Sequence, residues 1–341
     1  QKNLFDEIYN VDTRDHERLR AHLQTAQYMG VTTKQQLYEL VAKLAKLKVF
    51  SIDTETTSLE PVAADLVGIS ISWEEGKACY IPVGHTEGEQ LPLAEVIAAL
   101  QPILEDPKIG KIGHNIKYDY QIVKMAGITM QGICFDTMVA AFLINPLGRA
   151  QTLSGLALAE LGIEMIEITE LIGPRGKNQK TFDQVPIGEA VKYAAEDADI
   201  AWGLYQRLSK ELKNIGKLNE VAEELEWPLI PVLGDIELTG VKLDTDFFAK
   251  FSKDLDKRLT KTIEQIYDLA GEEFNINSTQ QLKEILFNKL KIDGEGLKKV
   301  KSGGASTAAS ELEKLRGKHP IIDLIFDYRE VAKLKSTYVD T

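Results

Sequence analysis

The chain has 341 residues, of which 44% are hydrophobic and 27% are charged, as in folded globular proteins that are long enough for two domains. This composition excludes collagen-like, disordered and disulfide-scaffold proteins, and without a run of 18 apolar residues we expect no membrane-spanning helix. The two cysteines, Cys79 and Cys134, lack the paired spacing of a zinc site and indicate a reducing compartment. The sequence begins at Gln1 without a targeting segment, so we expect it to be part of a longer protein.

The net charge of −12 argues at first sight against a nucleic-acid partner. The charge is unevenly distributed, because residues 1–241 carry 35 Asp and Glu against 22 Lys and Arg, whereas residues 242–341 carry 17 against 18. An acidic part followed by a nearly neutral part with lysine clusters is compatible with cation binding in one place and polyanion binding in another.

Hydrophobic periodicity predicts a helical lead-in followed by an α/β domain. Apolar residues recur at helical spacing over residues 12–47, and three short β-rich runs that follow predict a meander. Alternating helix and strand patterns then indicate a mixed sheet with flanking helices. In chain order, we predict strands at 48–53, 66–72 and 77–83, a helix at 93–105, a strand at 108–112, a helix at 115–126, a strand at 132–135 and a helix at 137–144.

From about residue 188 the pattern is helical almost throughout, apart from a basic, glycine-rich loop at 293–306. We predict helices at 188–214, 217–238, 244–270, 278–290, 308–316 and 321–336. The chain should therefore contain a helical lead-in over residues 1–46, an α/β domain over residues 47–216 and a mainly α-helical segment over residues 217–341.

The first predicted strand leads into two carboxylates on one face. Asp53 and Glu55 are two residues apart, so their side chains project from the same side of the strand. The spacing alone is a weak signal, because it also begins at Asp15, Asp235 and Asp293, but only the Asp53 pair ends a strongly apolar strand. A like-charged pair is costly there without a cation. The alternative is a solvated strand end.

The helix that begins near residue 115 carries a third acid on its inner side. Asn115, Asp119 and Ile122 form one row along this helix, flanked by apolar residues. Asp119 should therefore face the buried side of the helix. The alternative is that Asp119 only stabilises the positive end of the helix dipole.

The long helix that begins near residue 188 carries a fourth acid. Tyr193 and Asp197 share a row next to a stripe of alanines, whereas Glu196 and Asp199 should take the outward side. Asp197 is thus predicted to face inward, with the Tyr193 hydroxyl one turn away. The alternative is a purely structural hydrogen bond between these two side chains.

Four inward-facing carboxylates cannot lie together in ionised form without cations. Oxygen ligands favour Mg²⁺ or Mn²⁺, and a pair of such ions is suited to in-line displacement at phosphorus. Tyr193, as a phenol, orients a water better than it deprotonates one. The pattern therefore predicts phosphodiester hydrolysis assisted by two divalent metal ions.

The three acidic segments resemble the exonuclease motifs of the DEDD superfamily, in its tyrosine-containing branch. They are Asp53-Thr54-Glu55, Asn115 to Asp119 and Tyr193 to Asp197. From about residue 45 onward the chain also resembles the proofreading-exonuclease and thumb portions of family A DNA polymerases, of the bacterial polymerase I type. The supporting stretches are IPVGH at 81–85, FDTM at 135–138, GKNQ at 176–179, EWPLIPVLGDIELTGVKL at 226–243, AGEEFNINSTQQL at 270–282 and KLKSTY at 333–338.

This resemblance implies a ribonuclease H-like fold for the α/β domain and removal of the 3′-terminal nucleotide from single-stranded or frayed DNA. It implies two divalent ions, Mg²⁺ or Mn²⁺, with Asp53 between them. Glu55 and Asp197 would hold the first ion and Asp119 the second, partly through water. Tyr193 would orient the attacking water.

The resemblance also implies contacts with the DNA end. Leu59 would wedge against the terminal bases, while Thr54, Asn115 and Tyr118 would contact the terminal nucleotides. One departure from the family pattern is Thr169, which stands where an aromatic residue is expected. Stacking on the substrate should be weaker there.

The helical second part resembles a polymerase thumb and should contact duplex phosphates. Its best candidates are Lys298, Lys299 and Lys301, beside a pair of glycines. For any single lysine the alternative is a merely solvated helical face.

In the family, the catalytic aspartates of the palm lie beyond the segment that matches residues 333–338, so we expect this chain not to polymerise. We expect a monomer that binds DNA and no membrane, in the cytoplasm and nucleoid of a bacterium, or in an organelle of a eukaryote. Two alternatives remain: a 3′ exoribonuclease with the same motifs, and a non-catalytic relict that only binds DNA.

Overall fold

The computed structural model describes residues 20–148, 151–298 and 305–340. The chain divides into two compact units, Gln1–Gly240 and Val241–Thr341. Across the described ranges, no helix combines the length and the apolarity that crossing a membrane requires.

A six-stranded mixed sheet forms the centre of the first unit. Its strands are β1 (Gln27–Gly30), β2 (Val49–Thr56), β3 (Leu66–Glu74), β4 (Lys77–Pro82), β5 (Gly110–Gly113) and β6 (Ile133–Asp136). They lie in the order β1-β4-β3-β2-β5-β6. Strand β3 is antiparallel to β2 and β4, whereas the pairs β1–β4, β2–β5 and β5–β6 are parallel. The predicted mixed sheet is confirmed.

Ten helices accompany the strands in the described part of the first unit, and several of them pack on the sheet. They are α1 (His22–Thr25), α2 (Lys34–Leu44), α3 (Leu93–Leu104), α4 (Ile116–Met125), α5 (Thr137–Ile144), α6 (Leu153–Leu156), α7 (Ile168–Ile172), α8 (Ile187–Lys213), α9 (Leu218–Val221) and α10 (Trp227–Thr239). Turns of π-helix at Ala157–Leu161 and Ala222–Glu226 extend α6 and α9, and turns of 3₁₀-helix lie at Pro61–Ala63 and Phe182–Gln184.

The predicted meander is confirmed, and its first strand is longer than predicted. Strand β2 continues to Thr56 because its pairing with β3 extends past Asp53, with Glu55 opposite Gly68. Ile52 on β2 and Ile69 on β3 are fully buried. The strand therefore contains both acids of the Asp-x-Glu pair, as their predicted position on one face requires.

The prediction of a continuous helical lead-in over residues 12–47 is wrong. Residues 12–19 lie outside the described residues, and β1 interrupts the helical pattern beyond them. This strand pairs in parallel with β4, the Tyr28 hydroxyl donates to Asp199 at 2.8 Å, and Val31 is buried. Within the described part of this range, helix is present in the short α1 and in α2. The sheet consequently begins before residue 47.

The first unit also extends beyond the predicted boundary at residue 216, because α10 packs on α4. Trp227 and Ile230 are buried on the inner side of α10. A Cβ atom on Gly234 would lie 2.7 Å from the ring of Tyr120, so glycine allows the two helices to approach closely. The Tyr120 hydroxyl donates to Asp235 at 2.7 Å.

The second unit is helical and has a hydrophobic core of its own. Its helices are α11 (Thr245–Ala270), α12 (Thr279–Lys283), α13 (Ala309–Leu312) and α14 (Pro320–Leu334), with π-helical turns at Glu284–Lys289 and Lys335–Val339 and a 3₁₀ turn at Glu313–Leu315. Ile266 on α11, Leu282 on α12 and Ile322 and Ile325 on α14 are fully buried in this core. The helices predicted for this part of the chain are confirmed.

Candidate active site

Three of the four predicted carboxylates meet at one place. Asp53, Glu55 and Asp197 each offer a carboxylate oxygen, and these oxygens lie within 4.8 Å of one another. Among the described residues, no other group of three acidic, histidine or cysteine side chains has this arrangement. We call these residues the three-carboxylate group.

Strand alternation and helix packing bring the group together. Asp53 and Glu55 share one face of β2, and α8 packs on β2, β3 and β4. The helix can lie close to the sheet because it presents small buried residues, among them Ala194 and Ala198, both fully buried. One turn of α8 then places Asp197 next to the two acids of β2.

Asp119 lies nearby but outside the three-carboxylate group. Its side chain is buried and accepts a hydrogen bond of 2.7 Å from the Thr54 hydroxyl. Thr54 lies between Asp53 and Glu55 on β2, so its side chain points to the opposite face of the strand. Asp119 also accepts from the Thr54 backbone N–H, and its negative charge acts on Asp53, so it lies beside β2 and close to that acid. The inward orientation predicted for Asp119 is confirmed.

Burial and mutual repulsion oppose ionisation of these acids. Burial, followed by the negative charges of its neighbours Asp119 and Asp197, holds the pKa of Asp53 well above its ordinary value. Burial and neighbouring carboxylates also raise the pKa of Glu55 and of Asp197 well above their ordinary values. A divalent cation relieves this repulsion, and its preferred ligands are the carboxylate oxygens present here. The donor set thus fits Mg²⁺ or Mn²⁺.

Asp119 should make the metal-free protein less stable as the pH rises. Burial raises its pKa from 3.8 to about 7, so between these values the folded state binds more protons than the unfolded chain. Stability conferred by the protonated group is complete below the ordinary pKa and is lost as the pH approaches 7. We expect Asp119→Asn to remove about 3 kcal/mol of this dependence between pH 4.5 and pH 8.

Urea denaturation of both proteins in EDTA across that pH range measures the difference. Parallel stability curves for the wild type and Asp119→Asn would contradict the assignment of a raised pKa to this carboxyl.

Tyr193 projects from α8 towards the same acids. Burial, and then the charges of Asp197, Glu55 and Asp53, raise the pKa of the Tyr193 phenol. The phenol therefore stays protonated at neutral pH and acts as a hydrogen-bond donor and acceptor rather than as a base. Its ring lies against Phe182, with the ring centroids 5.8 Å apart.

The residues predicted to contact DNA differ in exposure, hydrogen bonding and backbone conformation. Leu59 is 88% exposed, and the Tyr118 hydroxyl donates to the Ser58 carbonyl at 2.6 Å, which fixes the loop that carries Leu59. Asn115 has a left-handed backbone, with φ at 57°, just before α4. Thr54 is buried and uses its hydroxyl on Asp119.

Asp136 was not identified from the sequence as a residue of the site, although the FDTM stretch contains it. Its buried carboxylate accepts hydrogen bonds from the backbone N–H groups of Asn115 and Ile116, at 3.2 and 2.8 Å, and of Met138 and Val139, at 2.9 and 3.1 Å. These groups begin α4 and α5, so one side chain fixes both helix starts.

The predicted outward orientation of Glu196 and Asp199 is wrong. Glu196 is fully buried and pairs with His22 at 2.6 Å, and Asp199 is 7% exposed. Asp199 accepts the hydroxyl of Tyr28 and the backbone N–H of Gly76, at 2.8 and 2.9 Å. Residues before and within β1 cover this side of α8, which the periodicity of α8 alone does not reveal.

The remaining predicted residues lie on exposed surfaces or outside the described ranges. Lys298 is exposed, and its backbone N–H donates to Glu311 at 2.9 Å. Lys299 and Lys301 lie outside the described residues. Thr169 is exposed on α7.

Both parts of the chain match family models of known proteins. Residues 28–213 match a family model described as 3′-5′ exonuclease, and residues 245–341 match the model of DNA polymerase family A. The first match begins within β1, in agreement with a sheet that starts before residue 47.

Curated relatives match most of this chain. DNA polymerase I of Chloroflexus aurantiacus is 44% identical over 308 residues, which cover 89% of this chain and 32% of that protein. DNA polymerase I of Synechocystis sp. is 35% identical over 346 residues, which cover all of this chain and 35% of that protein. The chain therefore spans about a third of the length of these relatives.

A similar solved structure is the POL domain of Pol1 from M. smegmatis in complex with DNA primer-template and dNTP. Its TM-score is 0.73 at 24% identity, with 92% of this chain and 49% of that chain covered. At this identity the similarity shows the fold alone.

Proposed function

Because the chain belongs to the 3′-5′ exonuclease family found in family A DNA polymerases, we propose that it removes nucleotides from the 3′ end of DNA with the help of two divalent metal ions. The observation that carries this proposal is the three-carboxylate group, whose ligand oxygens lie within 4.8 Å of one another on β2 and α8. Such a group is costly to fold without a cation and is suited to binding one.

The residues divide between two ion positions. In this proposal, Asp53, Glu55 and Asp197 would hold the first ion, and Asp53 together with Asp119 would hold the second. The Thr54 hydroxyl keeps Asp119 next to β2 by the hydrogen bond described above. When bound, the ions supply positive charge for an in-line displacement at phosphorus and lower the pKa of water.

The protein itself orients the reacting groups. The phenol of Tyr193 stays protonated because burial raises its pKa, so its hydroxyl orients the attacking water and leaves proton removal to other groups. Leu59 is the proposed apolar wedge between terminal bases, because its side chain is exposed and its loop is fixed by Tyr118. Asn115 and Tyr118, at the start of α4, are the proposed contacts to the last nucleotides.

The proposed substrate is DNA rather than RNA. The relatives are DNA polymerases, and the neighbouring solved structure is described as a complex with DNA primer-template. The second unit matches family A DNA polymerase, and we propose that Lys298, Lys299 and Lys301 contact duplex phosphates there. The nucleoid of a bacterium is the compartment that fits these relatives.

A cleavage assay on matched DNA and RNA single strands tests this function. Each strand carries a 5′ label and is incubated without nucleotides in Mg²⁺, Mn²⁺ or EDTA. We expect a one-nucleotide ladder that descends from the 3′ end of the DNA and disappears in EDTA. Faster shortening of the RNA strand would identify an exoribonuclease instead, and intact strands under every metal condition would overturn the proposed hydrolysis.

A further inference from the structure

A buried hydrogen-bonded chain joins β4 to the segment that precedes α8. The Tyr80 hydroxyl and His85 Nε2 are 2.8 Å apart, and His85 Nδ1 lies 2.9 Å from the Val185 carbonyl oxygen. A carbonyl only accepts, so Nδ1 carries the proton and Nε2 accepts from the Tyr80 hydroxyl. The Tyr80 side chain is fully buried and His85 is nearly so.

Tyr80 belongs to the sheet face that carries the acids. In the antiparallel register Asp53 lies opposite Ser70, and Ser70 lies opposite Tyr80, so the three side chains form one row across β2, β3 and β4. The Tyr80 ring occupies the space above Gly68, where a Cβ atom would lie only 2.2 Å from the ring and its hydroxyl. Gly68 is opposite Glu55. The Tyr80 hydroxyl donates its proton to His85 and therefore does not donate it to the carboxylates.

The other side of His85 leads to Tyr193. The His85 ring lies 6.0 Å from the ring of Phe182, which in turn lies 5.8 Å from the ring of Tyr193. The Thr86 backbone N–H donates to the Asp183 carbonyl at 2.9 Å. The segment from Phe182 to Val185 is therefore held between His85 and Tyr193, immediately before α8 begins.

We propose that His85 is a positioning residue for Tyr193. By holding the segment from Phe182 to Val185, it fixes the start of α8 and the aromatic surface on which the Tyr193 ring rests. The Tyr193 hydroxyl consequently keeps its place beside Asp197. This inference rests on the proposed function, in which that hydroxyl orients the attacking water.

A double-mutant cycle on single-stranded DNA in Mg²⁺ tests the proposal. We expect His85→Ala to lower kcat about tenfold, because a small displacement of an orienting group is costly, and to leave KM within about twofold. In the Tyr193→Phe background the same change should lower kcat by less than about twofold, because the hydroxyl it positions is already absent. Equal falls in both backgrounds, or no fall in the wild-type background, would overturn the proposal.

Two further variants separate positioning from loss of stability. His319→Ala removes another histidine hydrogen bond, which the backbone N–H of Ile321 donates to His319 Nδ1 in the second unit. It should leave kcat unchanged while lowering the thermal unfolding midpoint. If His85→Ala fails to fold, Tyr80→Phe replaces it in the same cycle. This variant removes only the hydroxyl that donates to His85, and we expect it to lower kcat about threefold.

Failure of the proposed function is distinguishable in this experiment. A wild-type protein that leaves DNA intact in Mg²⁺ overturns both the hydrolysis and the positioning role. A wild-type protein that cleaves, with His85→Ala cleaving equally fast, overturns the positioning role alone.

Discussion

Asp53→Asn is expected to slow DNA hydrolysis by at least about a thousandfold, the largest effect of any single change in the site. Asp53 belongs to the three-carboxylate group and is the acid assigned to both ion positions. Asparagine has nearly the same size but carries no charge, so the variant tests charge rather than packing. Single-turnover cleavage of a labelled DNA strand in Mg²⁺ measures the loss.

The same variant should fold at least as well as the wild type in EDTA. Burial and the neighbouring acids raise the pKa of Asp53, so its ionised form destabilises the metal-free folded state at neutral pH. Asp235→Asn is the matched control, because Asp235 begins another Asp-x-Glu pair of the first unit but lies on α10, paired with Lys124. A cleavage rate for Asp53→Asn within tenfold of the control would contradict the metal-site assignment.

Tyr193→Phe is expected to lower kcat by about a hundredfold, which is less than the effect of Asp53→Asn. The change removes the hydroxyl that is proposed to orient water but leaves every carboxylate in place. Because burial raises the pKa of this phenol, the wild-type rate should show no titration of Tyr193 below pH 10. A tyrosine acting as a base would instead increase the rate as the pH approached its pKa.

Steady-state kinetics with one DNA strand measure kcat and KM for this variant. Tyr205→Phe is the matched control, since it removes a hydroxyl from the same helix three turns away, where the ring packs on Phe135. A loss as large as that of Asp53→Asn, or kcat equal to that of Tyr205→Phe, would contradict the orienting role.

Features fixed by local periodicity were predicted well from the sequence. Alternation along β2 placed Asp53 and Glu55 on one face, and the helical rows of α4 and α8 directed Asp119 and Asp197 inward. These inferences need only the geometry of one element and its apolar neighbours. The sequence alone therefore predicted that these acids converge, including the three of the three-carboxylate group.

Features fixed by long-range pairing were not predictable in this way. Strand β1 is only four residues long and forms because it pairs in parallel with β4. His22, which precedes β1, and Tyr28, within β1, cover Glu196 and Asp199, which an isolated α8 would expose. His85 lies in the IPVGH stretch, but its partners Tyr80 and Val185 are set by the fold.

The residue that holds Asp119 beside the acids of β2 was not predicted. The Thr54 hydroxyl donates to Asp119, which lies outside the three-carboxylate group but close enough for its charge to act on Asp53 and Glu55. Motif spacing counts residues along the chain and does not show which side chain holds another in place. The hydrogen bond from Thr54 to Asp119 could be found only in the assembled structure.

Binding of divalent metal by the three-carboxylate group can be measured with electron paramagnetic resonance of free Mn²⁺. Protein-bound ions lose the sharp signal that ions in solution give. We predict that the wild type and Asp235→Asn deplete the free signal to the same extent, and that Asp53→Asn depletes it much less. Equal depletion by all three proteins would place the bound ions elsewhere and contradict metal binding by the three-carboxylate group.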